Sequence, residues 1–298
     1  DDINVSAGGA GGNFSMRAGR RITIQAAIDT DNGDLTLDAN NCSGVNNCSN
    51  GADRRGDGVG LILIDTGGSI NTGTGDFTAT VGDEDSSGDI TLRNVTTTNL
   101  VVTNNGTTSG SDILDEGSLT VSGTSAFTTV VSDGVITLDS AHALTGAVTL
   151  TTNSSSTSAN ATLDNGTTAL NLAASTIGGT LTLTSGHASG IIDSGLVTVG
   201  GNLVATTDAS SGVITLDNLA VDGAFTLTPN SAGAVTIVND AGLTLAASTM
   251  GGTFSGTATI GNLTDTGALA IPGTTTLVTS ANDATITLDT ETNAFTGA

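Results

Sequence analysis

The chain has 298 residues, with 42 glycines, six phenylalanines, two prolines and neither Trp nor Tyr. Its formal net charge is −23, lysine is absent, and the six basic residues are all arginines (Arg17, Arg20, Arg21, Arg54, Arg55, Arg93). Phosphate binding needs cationic side chains to release counterions, so this balance excludes nucleic acid and anionic lipid as partners, and the lack of rings leaves the core to Val, Ile, Leu, Ala and Thr.

The hydrophobic share, 37%, is too high and too regularly placed for a disordered Ser/Thr/Gly chain. No apolar run reaches about 18 residues, so no membrane span is expected. The chain opens at Asp1 without a charged-then-apolar leader, so any export signal is expected to have been removed or to lie outside this segment.

Near the start, Asp29-Thr30-Asp31-Asn32-Gly33-Asp34 reads as a calcium loop or a plain turn. The EF-hand pattern wants Gly at position 6 and Glu at 12, which this segment lacks, and the turn is favoured. A polar excursion follows near 39–58. It holds Cys42 and Cys48, the candidates for a disulfide that pins the loop in an oxidising compartment; the alternative is two free thiols. A bridge predicts a Cα separation of about 4.4–6.8 Å. Zinc has no further ligands there, since His142 and His187 lie far along the chain. Arg55-Gly56-Asp57 is either an integrin-type tripeptide or a coincidence of Gly/Asp-rich composition, and coincidence is favoured. Ten Asn-x-Ser/Thr tripeptides, among them Asn94, Asn160 and Asn262, permit glycosylation as composition alone would.

Self-similarity dominates the rest. LNLAASTIGGT (170–180) returns as LTLAASTMGGT (243–253), and GVITLD (134–139) returns at 212–217 and as ATITLD at 284–289. A finer step runs through Asp115, Asp139, Asp164, Asp193, Asp217, Asp240, Asp265 and Asp289, 23 to 29 residues apart. Asp38 and Asp65 precede them, and Arg17 and Arg93 fill two gaps in the series. Between these markers lie short alternating stretches such as GSLTV (117–121), GAVTL (146–150), GTLTL (179–183), GLVTV (195–199) and GAFTL (223–227), the signature of strands with one buried face. No helical pattern is present. Sandwiches turn back by hairpins and propeller blades repeat at about 40–50 residues. Same-phase strands at a shorter step point instead to an all-β chain, a single parallel β-helix (β-solenoid) over 1–298. Its expected size is roughly 12 coils of about 25 residues, with a length of roughly 55–60 Å at the strand spacing.

The stretches GGNFSMRAGRRITIQAAIDTDNGDLTLDAN and GGSINTGTGDFTATVGDEDSSGDITLRNVTTTNLVVTNNG carry a resemblance. In this style the chain resembles the haemagglutinin-type repeats of filamentous-haemagglutinin-like exoproteins of Gram-negative bacteria. The resemblance implies a right-handed β-helix exported to the cell surface, often as part of an adhesin. Asn-Pro-Asn signatures of that family's secretion domain are absent, and the only prolines are Pro229 and Pro272, so the two-partner secretion route is not implied.

Catalysis is not expected. A glycosidase needs two carboxylates set across a cleft; a lyase is expected to need a Lys or Arg base, and neither residue type follows Arg93. Thr180, Thr182 and Thr184 raise an ice-binding surface, but the phase of such pairs varies between coils. Two roles remain: the stalk of an extracellular adhesin, or a subunit of a polymerising filament, sheath or surface layer. The expected partners are neighbouring solenoid segments or subunits and possible host or cell-surface ligands. The ends are expected either to continue into a longer polypeptide or to stack head-to-tail, because a bare terminal coil leaves strand edges unpaired. The aspartates are expected to line one corner, held by Asx turns to the Gly of Asp-x-Gly or bridged by calcium, the one cofactor considered.

Overall fold

The computed structural model describes residues 3–4, 11–41, 59–83, 87–153 and 155–297. Among the described residues every regular element is a β-strand, and the strands pair in parallel from one turn to the next. The fold is a parallel β-solenoid of about 11 turns, as expected and one turn short of the sequence estimate. Alternation explains the strands. In Phe77–Val81, Phe77, Ala79 and Val81 are fully buried while Thr78 and Thr80 are half-exposed, so one face fills the interior. No ring is needed to fill so narrow a space, although Phe77, Phe127, Phe225 and Phe254 are among the largest fully buried side chains.

Two compact units are distinguished. The first, residues 1–146 with 151–153, has three faces per turn. One turn runs Ser69–Asn71, Phe77–Val81, Ser87–Leu92; the next runs Val95–Thr97, Leu100–Asn104, Ile113–Asp115. Register is strict: Phe77 pairs with Leu100 and Leu100 with Ser125. The turn that contains the polar excursion is longer, since Ile22 pairs with Ile62. Ala39 is still buried in strand Leu35–Ala39, and Asn40, just beyond it, has φ of 51° and donates its N–H to Arg20 O.

The second unit, residues 147–150 with 154–298, has tighter turns: Ile214 pairs with Val235 and Val235 with Phe254, 19 residues on. It also contains a corner that the first two faces of the other unit lack. Strand Ala147–Thr151 is covered by two short strands, Leu170–Leu172 and Ser175–Ile177, with Ala173-Ala174 bending between them. At the bend the Ser175 hydroxyl accepts the Leu150 N–H that the broken ladder would strand, and donates to Ala173 O. The same device returns in LTLAASTM: Ser248 accepts from Leu227 N–H and donates to Ala246 O.

Corners bring successive turns into backbone contact, and glycine makes that possible. A Cβ on Gly223 would lie 2.3 Å from Gly201 O, and one on Gly201 would lie 2.7 Å from the Gly179 carbonyl carbon. The N–H groups of Gly223 and Gly201 donate across the same contacts. Gly223→Ala is therefore expected to cost about 1–3 kcal/mol in urea unfolding. Gly19→Ala, where an added Cβ meets nothing within 4 Å, should stay within about 0.5 kcal/mol.

Candidate functional site: carboxylates and a buried histidine between turns

Three aspartates clamp one turn to the next. Asp115 Oδ1 accepts the Asp139 N–H at 2.8 Å and its Oδ2 the Ser140 N–H at 3.3 Å. Asp193 takes the N–H groups of Asp217 (3.1 Å) and Asn218 (2.9 Å) in the same way. Asp265 accepts from Thr290 N–H at 3.2 Å and from Asn293 Nδ2 at 2.8 Å.

The single aspartate corner expected from the sequence does not exist. Asp193 lies on a strand paired with Leu170–Leu172, whereas Asp265 lies on one paired with Leu243–Leu245, in another sheet. Register gives the reason. Leu216 pairs with Ile237 and Ile237 with Gly256, so three turns from the level of Asp193 end at Gly256. Asp265 is nine residues further, one face on. The repeat is longer than three turns because of the Ala-Ala-Ser corner. What survives of the series is local: Asp115 with Asp139, Asp193 with Asp217, and Arg17, whose Nε lies 2.9 Å from Asp38 on the next turn. The Asx turn to a following Gly holds for Asp164, which accepts from Gly166 N–H at 2.8 Å, but not for the three clamps. Their Asp-x-Gly glycines serve close approach instead: a Cβ on Gly195 would sit 2.6 Å from Ala174 N, and one on Gly267 2.4 Å from Ala247 N.

One clamp is extended by a histidine. His142 Nδ1 accepts the Leu119 N–H at 3.1 Å, and its Nε2 stands 3.8 Å from Asp115 Oδ2, with both side chains fully buried. Asn293 plays the corresponding part above Asp265, where its Oδ1 accepts Leu269 N–H at 2.8 Å while Nδ2 donates to the carboxylate. Above Asp193 the corresponding residue is Leu219, which stacks on Val197 in the ladder.

A further set of clamps escaped the sequence reading. In the first unit Asn13, Asp34, Asp76 and Asn99 form a column in which each side-chain oxygen accepts the N–H one turn on, from Asp34, Asp76, Asn99 and Thr124, at 2.9–3.1 Å. In the second unit Asn160, Asn202 and Asn262 do the same for Thr180, Ala224 and Thr285. The signal was present: Asn or Asp stands immediately before the first inward residue of a strand, as in Gly-Asp-Phe77 or Gly-Asn-Leu203.

The segment 29–34 is a turn. Asp31 and Asn32 have φ of 49° and 76°, Asp29 accepts the Asp31 N–H, Asn32 accepts from Thr74, and Asp34 accepts from Asp76. The carboxylates of Asp29 and Asp34 are thus engaged by backbone, and that of Asp31 by the Asn32 amide. Among the described residues no group of three His, Cys, Asp or Glu side chains is placed to hold a metal. Cys42, Cys48 and the Arg55-Gly56-Asp57 tripeptide lie outside the described residues. A shallow open depression of about 390 Å³ on the first unit is lined by Asn71, Asn94, Thr96, Ser118 and Thr120, neutral groups with no nucleophile–base pair among them.

A family model described as repeats of unknown function (DUF5649) matches residues 74–151, 158–230 and 232–298, well over half of the chain. The chain belongs to this family. Each DUF5649 repeat contains one double clamp, on Asp115, Asp193 and Asp265 respectively. No curated protein and no solved structure matches it.

The clamps of the second and third repeats differ electrostatically. Burial raises the Asp193 carboxyl above its ordinary range, against the Asn218 and Asp217 N–H groups, and the Asp217 charge adds to the rise. For Asp265 burial also pushes up, but the Asn293 amide and Thr290 outweigh it and the carboxyl is lowered. A lowered carboxyl stabilises the fold fully above the unfolded value of about 3.9 and loses that contribution as pH falls through the folded value. A raised one has the opposite sign. The difference in urea midpoint between wild type and Asp265→Asn should therefore shrink as pH falls from about 7 to about 3. Over the same range wild type should gain on Asp193→Asn.

Proposed function

We propose that this chain is a non-catalytic structural rod of an extracellular bacterial surface protein, the stalk of an adhesin or related exoprotein. One observation carries this reading: the carboxylates and amides that could do chemistry are spent on the backbone of the adjoining turn, repeat after repeat. An architecture in which the polar side chains hold turns together suits a spacer that displays something else. The resemblance of residues 11–40 and 67–106 to haemagglutinin-type repeats supports export to the cell surface, and the acidic composition suits an exterior rich in salt and divalent cations.

A polymerising filament, sheath or surface-layer subunit is the second reading, and it also has an observation in its favour. On the strands Ile286–Thr287 and Ala294–Phe295, Ile286 and Phe295 occupy positions in register with buried Leu263 and Ile271, yet are 45% and 41% exposed. Such side chains can bury further apolar area by accepting another parallel turn, which the same polypeptide or a second copy would supply equally well. Negative-stain electron microscopy of the purified 298-residue chain separates the two. Discrete particles of uniform size are expected for the stalk, and long ordered fibres at the same concentration would replace it with the filament.

A further inference from the structure

We infer that His142 and Asp115 form an acid-released latch within the first DUF5649 repeat, closed only while the imidazole is neutral. Its geometry is that of a buried cross-turn connector. His142 Nδ1 accepts the backbone N–H of Leu119, one turn back, so in the neutral ring the proton sits on Nε2. That nitrogen faces Asp115 Oδ2 at 3.8 Å, beyond hydrogen-bond length, and neither side chain is reached by solvent.

A second proton on the ring must go to Nδ1. It would set an N–H against the Leu119 N–H and leave a buried backbone donor without its acceptor. Asp115 is a charged group that the structure brings to the ring, and its negative charge favours an imidazolium. Its oxygens, however, already accept the N–H groups of Asp139 and Ser140. Glu116, beside it, is engaged by Arg93. Protonation thus gains attraction to a carboxylate already bonded to two backbone N–H groups, and it loses the Leu119 bond. The unfolded chain has no such bond to lose. It takes up the proton more readily, and the latch weakens as pH falls through the ordinary imidazole range near about 6.5.

The other repeats support the assignment. The same place is taken by Asn293, which accepts the equivalent Leu269 N–H and donates to Asp265 without a titratable group, and by Leu219, which pairs with Val197 in the ladder. Only in the first repeat is this place taken by a histidine, whose charge can change near neutral pH.

The chain has two histidines, and His187, the other, is exposed. Nitrogen-15 NMR of the folded 298-residue chain should show His142 as the Nε2–H tautomer, still neutral at about pH 6, below the ordinary imidazole value of about 6.5. Between about pH 7.5 and pH 5 the wild-type unfolding midpoint should drop about 2–4 °C more than that of His142→Asn. A His142 already mostly protonated at about pH 6.5, or superimposable pH profiles of wild type and variant, would overturn the latch. If His142→Asn does not fold, the tautomer and the titration midpoint of His142 decide alone.

Discussion

In a parallel solenoid the hydrogen-bond ladder runs from turn to turn, and it fails wherever the chain bends. Strand backbone finds its partner one turn away, but at each corner N–H and C=O groups leave the ladder while still close to protein and away from water. Side chains fixed at the same point of successive turns solve this. Asn13, Asp34, Asp76 and Asn99 on one edge, and Asp115, Asp193 and Asp265 elsewhere, each extend an oxygen to a neighbouring turn's N–H. Part of the chain's acidity is therefore structural in origin.

The interior obeys the same constraint. Asn104 and Asn239 are fully buried at strand ends. Asn104 donates to Gly88 O and Asp112 O and accepts from Gly106 N–H; Asn239 accepts from Val221 N–H and donates to Val221 O and Gly242 O. Thr129 and Thr207 reach Gly134 O and Gly212 O in the same manner. Faces are closed by aliphatic side chains and corners by small polar ones. This division is why a chain without Trp or Tyr can fold at this length: aromatic area is not needed when the space between opposing strands is one or two aliphatic layers deep.

Fold class was legible because alternation over four to six residues, as in GAFTL and GTLTL, reports directly on which side chains face inward. The aspartate register was not. A regular step in sequence becomes a column in space only if the turn has the same length, and here the turn varies from 40 residues between Ile22 and Ile62 to 19 between Val235 and Phe254. The Ala-Ala-Ser corner was written twice in the chain as LNLAASTIGGT and LTLAASTMGGT, but its effect on register depends on what lies one turn away. His142 was invisible for the same reason: a lone histidine in SAHAL has no local feature that announces Leu119 or Asp115. Local periodicity thus exposes which side of a strand is buried, while contacts along the axis depend on accumulated turn lengths.

The extra face per repeat has a further meaning. In the second unit, equivalent residues of consecutive DUF5649 repeats do not look in the same direction: Asp193 and Asp265 belong to different sheets. A surface feature copied by duplication of such a repeat is therefore not stacked into a stripe. In the second unit the copy on the third repeat lies in a different sheet from that on the second, so this duplication sets the same chemistry before another sector of solvent without any new mutation.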